Sequence, residues 1–172
     1  ALRELHASDT PPQLPVTFLI IPDEEVGSPS SRTLIEREAQ NYQYVLVPEP
    51  AREGKVVTGR HAFARYVIEA QGVSVHAGAD NARGASAISA MAAFVTDVEG
   101  RSDLGRGITF SVGIIHGGTF VNVVPHECNA EVLCVAPDAA ALEFVRHTMD
   151  QLGEEHAAIR IQAGPVRPLF PL

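Results

Sequence analysis

The sequence predicts an α/β chain in two parts, a piece of a parallel-sheet domain followed by a ferredoxin-like βαββαβ domain. Three observations carry this. Two apolar runs, Val16 to Ile21 and Tyr44-Val45-Leu46-Val47, flank a helical stretch, which is the pattern of a β–α–β unit. From about residue 57 the pattern becomes strand–helix–strand–strand–helix–strand, the split βαβ order with four antiparallel strands and two helices on one face. Between the two parts lies Ala51-Arg52-Glu53-Gly54, which reads as a linker.

Residues 1–6 read as the end of a helix, and Asp9-Thr10-Pro11-Pro12 breaks it. The run from Val16 to Ile21 is a buried strand by its composition. It stops at Pro22 and passes at once into Asp23-Glu24-Glu25. Ser30 and Ser31 offer hydroxyl caps to a helix over Arg32 to Ala39. The second strand ends in Pro48-Glu49-Pro50. A right-handed crossover lays the two strands parallel, so Glu25 and Glu49 are expected at one sheet edge. That edge is where ligands bind in open α/β sheets. Consecutive acids leaving a strand are costly unless water, cations or a metal receives them. Adjacent side chains point in different directions, so Glu24 and Glu25 suit different roles. On the residues alone, a site and a merely solvated acidic loop both stay open.

In the second part, Ala64, Tyr66, Ile68 and Ala70 alternate with Arg65 and Glu69, a half-buried strand. Residues 81–99 read as a helix with Ala85, Ile88, Ala92 and Val95 on one face. Ile108, Phe110, Val112 and Ile114 form a second alternating strand, and Cys128, Ala130, Val132 and Cys134 a third. Pro137-Asp138 caps a second helix with Leu142, Val145, Met149 and Leu152 on its apolar face. Residues 158–163 are the fourth strand.

The chain's 172 residues allow one domain, or one small domain with part of another. A hydrophobic content of 45% and a charged content of 20% fit a soluble globular protein. The net charge of -8 comes without any basic patch, which argues against nucleic acid and anionic membrane as partners. The apolar runs are far too short to span a bilayer. Cys128 and Cys134 lie on one strand, about 20 Å apart when extended, whereas a disulfide needs Cα atoms within about 7 Å. A reducing, cytoplasmic location is therefore the expectation. No secretory signal stands at the start, and a portion of chain before Ala1 stays open.

Several motifs in order carry a resemblance. They are Asp23-Glu24-Glu25-Val26-Gly27-Ser28, Ser31-Arg32, Leu34-Ile35, Tyr44-Val45-Leu46, Glu49-Pro50, Gly72, Ser74, His76-Ala77-Gly78-Ala79, Asn122-Val123-Val124-Pro125 and Arg167-Pro168. Together they resemble the zinc metallopeptidases that include glutamate carboxypeptidase, acetylornithine deacetylase and succinyl-diaminopimelate desuccinylase. The resemblance leans to the glutamate carboxypeptidase branch from Gly27-Ser28 through Ile35. It implies a partial catalytic domain over residues 1–54, a ferredoxin-like lid and dimerisation domain over 55–164, and a return towards the catalytic domain over 165–172. It also implies two zinc ions in the complete enzyme, with cobalt or another divalent ion as an alternative. Glu24 would be the general base, and Glu25 and Glu49 would each bind one zinc. His76 would reach the partner subunit's active site and stabilise the oxyanion. Asn122 would contact substrate, and Arg167 a substrate carboxylate. Asp23 would be a supporting or loop acid, with His116, His126 and His147 left as surface or turn histidines. The implied partners are a small N-acyl amino acid or peptide substrate and a second copy of the chain, joined through lid helices or edge strands.

The chain departs from that family in two places. The upstream His-x-Asp motif, the bridging Asp and the C-terminal zinc His have no match, and His6 is followed by Ala7-Ser8-Asp9 with the wrong spacing. Two carboxylates cannot hold two zinc ions, so the 172 residues alone are expected to bind neither stably and to be inactive. In addition, Glu131-Val132-Leu133 puts leucine where the family often has the arginine of an Asp-x-Arg pattern, which counts against a glutamate-type carboxylate as substrate. Three functions are carried forward. The first is a segment of a metal-dependent amide hydrolase. The others are a non-catalytic dimerisation and substrate-gating lid, and a small-ligand-binding regulatory βαββαβ domain.

Overall fold

The computed structural model describes residues 2–8, 10, 12–50 and 53–167. The chain divides into two units, Ala1–Pro50 and Ala51–Leu172. The first holds helices α1 (Leu2–Ala7) and α2 (Arg32–Ala39), with a single 3-10 turn at Glu24–Val26. The second holds β1 (Ala62–Gln71), α3 (Ala87–Gly100), β2 (Thr109–Gly117), β3 (Glu127–Ala136), α4 (Ala139–Glu155) and β4 (Ile159–Arg167).

In the first unit α2 forms over the expected residues, but the two flanking strands do not form. Residues 16–21 and 44–47 enter no ladder among the described residues. Their side chains stand largely open, with Ile20 88% and Leu46 87% exposed. A parallel strand acquires its hydrogen bonds and its cover only from neighbouring strands and from helices on both faces. These two segments have neither, and α2 itself buries no residue. One side-chain bond ties the stretches, from the Tyr42 hydroxyl to Thr17 Oγ1 at 2.8 Å. The sheet edge on which Glu25 and Glu49 were expected to meet is therefore not formed within this unit.

The second unit is the βαββαβ order expected from the sequence. Its sheet runs β2-β3-β1-β4, and every pairing is antiparallel. One face of the sheet carries Tyr66, Ile68, Val132 and Cys134 into a buried cluster with Met91, Phe94 and Val98 of α3 and Val145, Met149 and Leu152 of α4. Each such side chain contributes about 1.5–3 kcal/mol on burial. Ala62, Ala64, Ala70, Ala130 and Ala136 line the same face and let the helices sit close. Asp138 caps α4 by accepting from the Ala141 amide at 2.7 Å, as its position after Pro137 suggested. Cys128 and Cys134 are both buried and free, and burial pushes both thiols up, Cys134 to about 12.

Two expectations for this unit need correction. The helix expected over residues 81–99 is a 3-10 turn at Asn81–Arg83, an extended joint, and then α3. Gly84 is extended, and a Cβ there would lie 2.5 Å from Val75 Cγ2. The helix starts only after Ser86, whose hydroxyl accepts from the Ser89 amide at 3.1 Å. That start sets a different phase, so Ala87, Met91, Phe94 and Val98 are buried, while Ile88 and Ala92 face outward. In β2 the alternation breaks at Gly113, where the register slips between Val112 and Ile114. The extra residue of this bulge turns Ile114 to the uncovered face beside Glu131.

Candidate functional site

The three acids of the first unit divide sharply. Asp23 is a hydrogen-bonded anchor: its carboxylate accepts from the amides and hydroxyls of both Ser30 and Ser31. The Ser31 and Ser30 hydroxyls hold that carboxyl well below the usual range, at about 2. The hydroxyls expected to cap α2 are thus committed to Asp23, and Ser31 makes no side-chain cap bond to the helix. Glu24 and Glu25 follow on the 3-10 turn, both exposed and without a side-chain partner among the described residues. Glu49 is also exposed, in a tight turn whose amide donates to the Val47 carbonyl at 2.8 Å.

In the second unit, His76 and Asn122 are held together by backbone. His76 forms an antiparallel bridge with Val123, and the Ala77 amide donates to the Asn122 carbonyl at 2.9 Å. The Val124 amide donates to Val75 at 2.9 Å, and Gly72 to His126 at 2.8 Å. The start of α3 joins the same knot, since the Ala87 amide donates to the Pro125 carbonyl at 2.9 Å. His76 Nδ1 accepts from the amides of Gly78 and Ala79, each at 3.2 Å. A neutral ring in that nest carries its proton on Nε2, which is left as an exposed donor. The Asn122 side chain is exposed. Beside both runs a cleft of about 380 Å³, lined by Ala77, Asn81, Ser86, Ser89, Val121 and Val123 among others. Arg167 pairs through its backbone with Phe63 at the end of β4, while its side chain and Pro168 lie outside what is described.

Residues 58–160 match the peptidase dimerisation domain of the M20 group. The chain belongs to that family. This M20 chain is similar to carboxypeptidase G2 of Pseudomonas sp. (strain RS-16), with 29% identity over 161 residues, covering 90% of this chain and 39% of that protein. It is similar to acetylornithine deacetylase of Myxococcus xanthus, with 31% identity over 137 residues, covering 72% of this chain and 36% of that protein. Its fold is like that of the aminobenzoyl-glutamate utilization protein from Klebsiella pneumoniae, with a TM-score of 0.58 at 19% identity, covering 67% of this chain and 33% of that one. The chain thus spans under two fifths of the length of the relatives it matches.

The metal question can be put to this M20 chain directly. Among the described residues no group of three or more His, Cys, Asp or Glu side chains could hold an ion. A zinc ion takes three or four protein ligands. Glu25 and Glu49 alone do not fit a two-zinc centre. No described helix is long and apolar enough to cross a membrane.

One further residue of this M20 lid comes to light only in the sheet. Leu133 is exposed on the uncovered sheet face, and directly across the ladder stands Arg65. Its Nε and Nη2 both donate to Glu131 Oε2. A guanidinium therefore stands at the level where the family pattern puts one, on the neighbouring strand and already paired. Arg65 and Glu131 are far apart in sequence, and only the strand register brings them together.

Proposed function

We propose that the chain is the central segment of a metal-dependent hydrolase that cleaves the amide bond of an N-acyl amino acid or small peptide. That is the class named by its carboxypeptidase and deacetylase relatives. Residues 1–54 belong to the catalytic domain, 55–164 to the lid, and 165–172 lead back. Glu24 is the general base: its carboxylate takes a proton from the attacking water and hands it to the leaving nitrogen, a contribution of roughly 10²–10⁴ in rate. Glu25 and Glu49 each supply one ligand to a pair of zinc or other divalent ions, whose other ligands lie outside these 172 residues. His76 offers its Nε2 proton to the oxyanion, which is worth roughly 10²–10³. Asn122 holds the substrate, and Arg167 a carboxylate on it. The location is cytoplasmic, which suits two free buried thiols.

The lid joins two copies. β2 is an edge strand, and Ile114 and Ile115 on it are 43% and 50% exposed. Ile88 on α3 adds a further apolar residue, 41% exposed. The opposite edge, β4, contains Pro165, which has no amide to donate. A bare apolar edge is a template for pairing, so β2 and α3 are the faces that meet a second copy.

The observation that carries this reading is the set of backbone bonds that holds His76 beside Asn122, with the His76 ring exposed. In the longer enzyme, Glu24→Gln is expected to lose turnover by two orders of magnitude or more while metal content holds. Full turnover in that variant sinks the assignment.

A second reading, a lid without a working centre, is favoured by the incomplete ligand set. Zinc content and hydrolysis of N-acyl amino acids by the 172-residue chain separate the two. Inertness is expected from these residues alone. Stoichiometric zinc, with turnover abolished by Glu24→Ala, overturns the view that the centre is completed from outside.

A further inference from the structure

Of three successive acids, only the first has a side-chain partner among the described residues. Asp23 Oδ2 accepts from the Ser30 amide at 2.8 Å, the Ser30 hydroxyl at 2.7 Å and the Ser31 amide at 3.1 Å, and Oδ1 accepts from the Ser31 hydroxyl. Its main-chain carbonyl accepts from the Ser28 amide at 2.8 Å. Between these attachments the chain reverses through two left-handed residues, Gly27 at φ 88° and Ser28 at φ 56°. A serine in that region is uncommon and persists where its surroundings hold it. Backbone bonds from the Gly27 amide to the Glu24 carbonyl at 2.8 Å and from the Arg32 amide to the Ser28 carbonyl at 3.0 Å help, and Asp23 adds the rest: it closes the turn through its carbonyl and fastens the far side to the start of α2 through its carboxylate. Four donors hold that carboxylate, three on Oδ2 and one on Oδ1. Glu24 and Glu25, on the same turn, are exposed.

We propose that Asp23 is the positioning residue of this turn, tying Glu24–Val26 to the first residues of α2 and thereby setting where the Glu24 and Glu25 carboxylates stand. The assignment rests on the function proposed above and deepens it. A general base works within about 2.6–3.2 Å of the proton it takes. A displacement of about 1 Å can cost roughly a hundredfold in rate. A turn pinned at both ends by one side chain and its own carbonyl supplies that precision without spending either catalytic acid.

Two measurements test it. On the 172-residue chain, exchange of the Ser30 and Ser31 amides is expected to accelerate roughly tenfold in Asp23→Ala, the loss of a net hydrogen bond at each, and to stay unchanged in Glu24→Gln. In the longer metal-loaded enzyme, Asp23→Ala is expected to lower kcat roughly 10- to 100-fold, with KM within about twofold and metal content unchanged. Asp23→Asn, which keeps one acceptor oxygen, recovers part of the loss. Ser31→Ala, which removes one hydroxyl and keeps the amide, lowers kcat in the same direction by less. Unaltered exchange in Asp23→Ala overturns the proposal. So does parental kcat in Asp23→Ala when Glu24→Gln is inactive, and the proposed function then stands. Full activity in Glu24→Gln removes the function and this assignment together.

Discussion

Gly72→Ala is the sharpest test of the knot beneath His76 and Asn122. Gly72 sits where β1 leaves the sheet, and its amide donates to the His126 carbonyl at 2.8 Å. A Cβ added there would lie 2.1 Å from the Ala85 carbonyl oxygen, 2.8 Å from the Ala87 nitrogen and 3.0 Å from the Pro125 oxygen. All three are backbone atoms, so none can swing aside as a side chain would. The first accepts from Val73 at 2.8 Å, and the other two bond each other at 2.9 Å. Overpacking of this kind costs about 1–3 kcal/mol. Disturbing the two bonds adds about 0.5–1.5 kcal/mol each. The sum is roughly 2–6 kcal/mol. At about 2–4 °C per kcal/mol for a chain of this size, the melting transition is expected to fall by at least about 4 °C. Calorimetry reads this directly, with Gly100→Ala as the control. Gly100 closes α3 with nothing within 4 Å of an added Cβ, so alanine there is expected to be neutral or slightly stabilising. Equal melting temperatures for Gly72→Ala and Gly100→Ala would refute the reasoning.

The remaining predictions concern the core, pH, assembly and a surface pair. Phe94→Ala empties a fully buried site beneath the sheet and removes the edge contact with His156, so urea unfolding should show a loss of about 3–5 kcal/mol. Cys134 titrates near 9.0 when unfolded and at about 12 in its buried site. The folded chain keeps that proton where the unfolded chain has lost it, so this contribution is full below pH 9 and declines above it by about 1.4 kcal/mol per unit. Urea midpoints at pH 8 and pH 10 should show the decline, and Cys134→Val should lessen it, with the buried Cys128 thiol keeping part of it. Ile115→Lys on the β2 edge should turn the dimer expected in sedimentation into monomer; an unchanged dimer would exclude that edge as the contact. Arg65→Leu should alter stability by no more than about 1 kcal/mol, because both partners of the Glu131 pair are substantially solvated.

How far the sequence could be read depended on where each segment finds its partners. β1, β3 and α4 were legible because their apolar periods face a core that the second unit itself builds. The face of α3 was misplaced because the phase of a helix is set by its first residue. Gly84 and Ser86 delay that start in a way the alanine-rich stretch does not reveal. Ile114 was misassigned because a one-residue bulge at Gly113 reverses every later side chain, and a lone glycine is a weak sign of it. Residues 16–21 and 44–47 read as strands from composition, yet a strand is a relation between segments, and neither segment finds a ladder partner among the described residues. At the candidate site, the roles expected of Glu24, Glu25 and Glu49 came from motif order. The grip of Ser30 and Ser31 on Asp23, and the nest that sets the His76 proton, depend on geometry that residue types do not display.

The strand order has a consequence for how the lid comes into being. β1 is the first strand of the second unit to be synthesised, yet it lies inside the sheet, between β3 and β4. Ala62 waits for Ala136 on one side, and Phe63 waits for Arg167 on the other. A nascent chain therefore carries β1 with both edges open until β3 emerges, and with one edge open until the end of the unit has left the ribosome. Pairings this distant in sequence are slow to form, and unpaired edges are the surfaces through which chains aggregate. A chain stopped after α4 would keep the β1–β3 ladder and leave the other edge of β1 permanently bare. The last strand of the lid is thus what makes its first strand safe.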